Sequence, residues 1–153
     1  MLIKTFINII KEQISQNKSD MYENLLNIRG DLILAAQKIY NEWKQDEDGY
    51  DEVYGSGGIC DDIAGAMCSV IYSKTEYGCF TLYNEYDCHT SAYVYDIEKK
   101  LLYMVDIPPY VYETGTAYTW RKIKDVEFFI RNVTIEEYDY DDYLNEDGDI
   151  LNF

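Results

Sequence analysis

The sequence predicts an α+β domain, with helices first and a mostly antiparallel sheet after them. Three observations carry this. Residues 2 to 43 repeat apolar side chains at helical spacing, and a further helical stretch follows an acidic, glycine-rich loop. From residue 77 the period changes to extended runs rich in Tyr, Thr, Val and Phe, and this order of elements defines the α+β class. A chain of 153 residues, 47% of them hydrophobic, suits one folded domain.

Taken in order, Leu2, Phe6, Ile9, Ile10 and Ile14 share one face of a helix over residues 2 to 16. Ser19-Asp20 reads as an N-cap, with Glu23 near the capping-box position, and predicts the start of a second, longer helix. Leu25, Leu26, Leu32, Ile33, Ala36, Ile39, Tyr40 and Trp43 continue it, and Gly30 is the point where it would divide. "DEDGYDEVYGSGG", residues 46 to 58, is a loop. It is not an EF-hand, because taking Gly49 as the sixth loop position puts Lys44 first and Gly55 last, where ligand carboxylates belong. Cys60 to Ser73 is the third helix, with Ile63, Ala64, Met67 and Ile71 on one face. Strands follow at 77 to 84 and 88 to 97, then a turn at Glu98-Lys99-Lys100 and a returning strand at 101 to 106. Pro108 and Pro109 end that strand because neither donates to a ladder. "YVYE" and "AYTWRKI" read as short strands or loop pieces, and residues 125 to 135 as a strand or a helix, with strand preferred. Glu136 to Asp149 holds eight acidic residues and no basic one, so the expected division is a single domain at 1–135 and an acidic tail at 136–153. Tail residue Gly148 also fails as an EF-hand glycine, since Tyr143 would be the first ligand. Many of the 17 tyrosines are expected at the rim of the core.

Charge narrows the partners. With 13 basic and 29 acidic residues, the formal charge is -16. Such a surface repels a phosphate backbone and attracts basic peptides, amines or cationic protein patches, so direct nucleic-acid binding is not expected. Lys4 and Lys11 interrupt the apolar start "MLIKTFINIIKEQISQ" and leave no signal-peptide core. No apolar run approaches the roughly 20 residues of a membrane span. The expected compartment is the cytoplasm, where Cys60, Cys68, Cys79 and Cys88 would be thiols by default. Cys68 then faces the core from its helix, and Cys79 and Cys88 pack in strands. There is no CxxC pair, and Cys88-His89 is not a ligand spacing, so neither a metal nor another cofactor is expected.

The residues with chemical potential converge on Cys60. It opens a helix, where unpaired N–H groups and the macrodipole favour a thiolate, and its own N–H can serve as an oxyanion donor. Gly57 and Gly58 let the backbone approach a substrate closely. Tyr54 and Ser56 are positional candidates for the rest of an oxyanion or substrate site. Trp120 either lines a cleft or fills the core. Asp61 and Asp62 suit a first helical turn but oppose a thiolate, so a basic partner is required. The single histidine, His89, begins a strand and is the candidate base. Asp106 ends the returning strand and is the candidate orienting carboxylate. A hairpin turn centred on Glu98-Lys99 puts Asp106 opposite Ser91, with His89 diagonal on the same face. A three-residue turn centred on Lys99 puts them on opposite faces unless a bulge corrects it, and Asp96 or Asp87 are the substitutes if Asp106 is not coupled to His89.

The order of a cysteine opening a helix ("GGIC"), a histidine on a strand ("CHTSAYVYD") and an aspartate on the next ("MVDIP") resembles the transglutaminase-like branch of the papain-like cysteine-hydrolase superfamily. The resemblance implies that the cysteine helix packs on the sheet carrying the other two. It implies Cys60 as nucleophile, His89 as general base and acid, and Asp106 as the residue that orients His89. The interval from Cys60 to His89 leaves room for one strand between them. The implied activity is that of a thiol-dependent hydrolase or acyl transferase (protease, deamidase or transglutaminase-like) acting on a protein or peptide, with the acidic surface favouring basic substrates. "YGSGGICDDIA", "VDIPPYVYE" and "YTWRKI" are also similar to segments of short bacteriophage-encoded proteins, which implies a viral or prophage origin and action in the host cytoplasm. A second expectation is non-enzymatic. Thirteen of the 29 acidic residues lie in two runs, 46 to 52 and 136 to 149, which suits an interaction protein that occupies a basic host surface as a nucleic-acid mimic. The sequence carries no expectation for the oligomeric state.

Overall fold

The computed structural model describes residues 2–45, 59–86, 89–107 and 133–151. Three helices come first: α1 (Leu2–Asn27), α2 (Arg29–Gln45) and α3 (Ile59–Lys74). Strands β1 (Gly78–Asn84), β2 (His89–Asp96), β3 (Leu101–Asp106) and β4 (Thr134–Tyr138) follow and form one sheet in the order β1-β2-β3-β4. Every neighbouring pair is antiparallel, so the class is α+β as expected. The expected pieces between residues 108 and 132 lie outside the described residues.

The helical boundaries differ from expectation at one place. No new helix starts at Ser19-Asp20, because α1 runs through it. Gln13 to Lys18 contain neither proline nor glycine, so nothing interrupts the helix before the capping residues. The division comes at Ile28, two residues before Gly30, and Leu32 N–H still donates to the Ile28 carbonyl at 3.1 Å. Met21, Leu25, Ile28, Leu32, Ala36 and Tyr40 form the buried stripe of this helical pair.

The sheet is covered on both faces, which explains why all six residues of β3 are buried. Alternation sends Cys79, Ala92, Val94, Leu101, Tyr103 and Val105 to the helical side, against Leu25, Leu32, Ile63, Met67 and Ile71. Phe80, Tyr93, Leu102 and Met104 point the other way and are covered by Tyr140 and Ile150, with Tyr138, Tyr143 and Leu144 packed alongside. Phe80 stacks on Tyr93 at 5.4 Å between ring centroids, and Tyr143 leans on the same ring at 5.1 Å. Tyr40, Tyr93, Tyr103 and Tyr140 are therefore core residues rather than rim residues, whereas Tyr22, Tyr72, Tyr83 and Tyr86 are exposed.

These contacts correct the expected division at 135/136, which falls inside β4. The acidic segment is part of the fold. Asp139 caps a short 3-10 helix, Tyr140–Tyr143, by accepting from Asp141 N–H at 3.1 Å. Leu144 bridges back to Ile150, and between them the Asn145 side chain accepts from the N–H groups of Asp147 and Asp149. Gly148 turns this loop with a φ of +82°, where a side chain would be strained. Its carboxylates face water while interleaved Tyr, Leu and Ile residues face the sheet, a pattern that composition alone conceals.

The cysteines require a second correction. Cys68 and Cys79 are joined as a disulfide, with Cα atoms 5.6 Å apart, so the two are not free thiols. Each is also buried, as expected of packing residues. Cys60 is free, and Cys88 lies outside the described residues. At the start of β1 the Tyr95 ring lies so close over Gly78 that any side chain there would collide with it. Among the described residues, no helix is long and apolar enough to cross a membrane.

Candidate active site

Helix α3 starts at Ile59, which places Cys60 in the first turn, among the amides that have no partner within the helix. The cysteine is partly exposed. The next residue, Asp61, accepts a hydrogen bond from the Thr90 hydroxyl. That contact fastens the start of α3 to the start of β2, immediately beside His89. Asp61 thus has a positioning role in addition to its favourable place at a helix N-terminus.

His89 is buried, and its Nε2 lies 2.7 Å from Asp106 Oδ2. The register explains the contact. Ala92 pairs with Val105 and Asp96 with Leu101, which sets Ser91 opposite Asp106 and His89 on the diagonal, as the turn centred on Glu98-Lys99 requires. Asp96 belongs to that turn, where its carboxylate accepts from Lys99 N–H at 3.1 Å, so it does not substitute for Asp106. Lys100 closes the turn with a φ of +50°.

Asp106 is held by three donors. Oδ2 accepts from His89 Nε2 and from Ser91 Oγ at 2.8 Å, and Oδ1 accepts from Ile107 N–H at 2.8 Å. Three donors on one buried carboxylate fix its orientation.

The Cys60 thiol also acts on the imidazole, by hydrogen bonding and by charge. Burial pulls the His89 pKa down, but the Asp106 carboxylate and the Cys60 sulfur together outweigh it and raise the value from 6.5 to about 9. The ring is therefore cationic at neutral pH.

The structure thus brings together Cys60, His89 and Asp106, with β1 as the single strand between the first two. Tyr54, Ser56, Gly57, Gly58, Asp87 and Trp120 lie outside the described residues. Sequence reasoning set Ser91 opposite Asp106 without giving it a role as donor, and it missed Thr90. The Thr90–Asp61 contact depends on how α3 docks, and no pattern in the sequence signals it.

A cavity of about 860 Å³ lies at the other end of α3, lined by Asn24, Lys74, Tyr77, Asp96 and Lys99 among others. None of the three reactive groups lines it. The site is located by its chemistry, not by this volume. Among the described residues, no group of three or more His, Cys, Asp or Glu side chains is placed to hold a metal ion. Comparison with known protein families, with curated proteins and with solved structures finds no match to the chain.

Proposed function

We propose that the protein is a thiol-dependent hydrolase or acyl transferase that uses Cys60, His89 and Asp106 on a protein or peptide substrate. The observation that carries this reading is the buried His89 ring bonded to the Asp106 carboxylate, with Cys60, in the first turn of a helix, acting on the same ring. The cysteine thiolate attacks an amide or ester carbonyl carbon, and the oxygen takes the electron pair. The Cys60 N–H, unpaired within its helix, is available to that oxyanion. As the tetrahedral species collapses, the His89 imidazolium gives its proton to the departing amine or alcohol, leaving a thioester and a neutral imidazole. Water, or an acceptor amine, then loses a proton to His89 as it attacks the thioester, and the sulfur departs as thiolate. Asp106 keeps the ring in one orientation and stabilises its charged form throughout. The charge of -16 favours lysine- or arginine-rich substrates or an amine acceptor.

The test is trapping of the acyl intermediate. Incubation with an activated ester such as p-nitrophenyl acetate should leave a transient acyl adduct that maps by mass spectrometry to Cys60, absent in Cys60→Ala. Steady-state release of p-nitrophenol with no adduct on Cys60 would assign any turnover to another group. The non-enzymatic alternative, an acidic mimic bound to a basic host surface, has less support: its second acidic run packs on the sheet rather than extending as a free tail.

A further inference from the structure

Alternation along β2 divides the site between the two faces of the sheet. Ala92 and Val94 pack toward the helices and Tyr93 away from them, so Thr90 projects toward α3, while His89 and Ser91 project to the opposite face. Their contacts agree. Thr90 bonds to Asp61 of α3, whereas His89 and Ser91 bond to Asp106, which shares a face with Leu102 and Met104. The helix bearing Cys60 and the ring of His89 thus lie on opposite sides of the sheet, and their meeting point is around its end. His89 is the first residue of β2 and Cys60 the second of α3, which puts both at that end.

Such a meeting depends on where the helix start lies. One residue of travel along a helix is about 1.5 Å, and misplacing a reacting group by about 1 Å costs on the order of 100-fold in rate. The later turns of α3 are tied to β1, by the Cys68–Cys79 disulfide and by the Tyr72 hydroxyl on the Cys79 carbonyl. From Cys60 to Cys68 is about 12 Å of helix, so those ties do not fix the first turn. The contact at the first turn is Thr90 Oγ1 donating to Asp61 Oδ1, which joins the residue after His89 to the residue after Cys60. Two features separate it from an ordinary satisfied pair. Asp61 is exposed, so water would serve its carboxylate without Thr90. Thr90 is buried on the helix side in a row with Ala92 and Val94, where a valine would complete an apolar row. The hydroxyl at this position is explained by its partner.

We propose that Thr90 is a positioning residue: through Asp61, its hydroxyl holds the first turn of α3 so that Cys60 stays within reach of His89 around the end of the sheet. This role rests on the thiol reaction proposed above and supplies the device that sets its geometry. Thr90 touches neither substrate nor the reacting atoms. It acts on the separation of the two reacting groups, so its loss should weaken every property that depends on Cys60 and His89 together.

The test is a mutant cycle read on the His89 titration by NMR. Cys60 is one of the groups that raise the His89 pKa, so Cys60→Ala should lower it in the otherwise native chain. In a Thr90→Val background the same substitution should have distinctly less effect, because the sulfur has already moved away. Thr90→Ser keeps the hydroxyl and should restore the full effect. Asp61→Ala removes the same contact from an exposed position, without entering the core, and should behave as Thr90→Val does. Acylation of Cys60 by p-nitrophenyl acetate should fall at least about tenfold in Thr90→Val and Asp61→Ala and recover in Thr90→Ser. If Cys60→Ala lowers the His89 pKa equally with and without the Thr90 hydroxyl, the positioning role is overturned and the thiol reaction stands. If Cys60→Ala leaves the titration of the otherwise native chain unchanged, the pairing of Cys60 with His89 is overturned, and the positioning role with it.

Discussion

His89 Nε2 and Asp106 Oδ2 lie 2.7 Å apart, buried, on adjacent antiparallel strands. This contact predicts the titration of the chain's single histidine. The carboxylate helps to raise the His89 pKa to about 9, so Asp106→Asn should lower it substantially, as read from the ring proton shifts by NMR. An unchanged titration would remove Asp106 from the site.

The same shift sets a pH dependence of stability. The folded pKa of about 9 exceeds the unfolded value of 6.5, so the stabilisation is complete below pH 6.5 and is lost as pH rises through about 9. Urea midpoints should therefore fall between these pH values in the wild type and change less in Asp106→Asn. A midpoint that rises across this interval would contradict the assigned direction.

Residues 140 to 151 should be needed for stability. Tyr140 and Ile150 are buried against Phe80, Tyr93, Leu102 and Met104, and each such side chain contributes about 1.5–3 kcal/mol. Truncation after Asp139 should cost at least about 3 kcal/mol, or roughly 10 °C in Tm. A truncated chain that melts with the full-length protein would show that this packing contributes little.

The Cys68–Cys79 disulfide ties the helix bearing Cys60 to β1 across a separation of 11 residues. Closing a loop of that size is worth about 3 kcal/mol. The expected results are a lower Tm after reduction and protection of both residues from alkylation until a reductant is added. Full alkylation of both in the untreated, folded protein would contradict the bond.

The antiparallel hairpin was legible because its two extended apolar runs and the short "EKK" turn admit few registers, and one of them joins His89 to Asp106. Cys60 was legible from its place after two glycines at a helix start. The packing of residues 136 to 151 was not legible, because eight acidic residues mask the apolar side chains interleaved with them. The Cys68–Cys79 pairing and the Thr90–Asp61 contact depend on how α3 lies against β1 and β2, and sequence periodicity reports a helix's buried face but not its neighbour.

Native-state alkylation measures whether Cys60 is poised to react. Iodoacetamide, with sites mapped by mass spectrometry, should modify Cys60 faster than Cys88 in the folded protein, with Cys68 and Cys79 held in their disulfide, and His89→Ala should remove most of that advantage. Labelling of Cys60 no faster than that of Cys88, or a rate unaffected by His89→Ala, would contradict this reading.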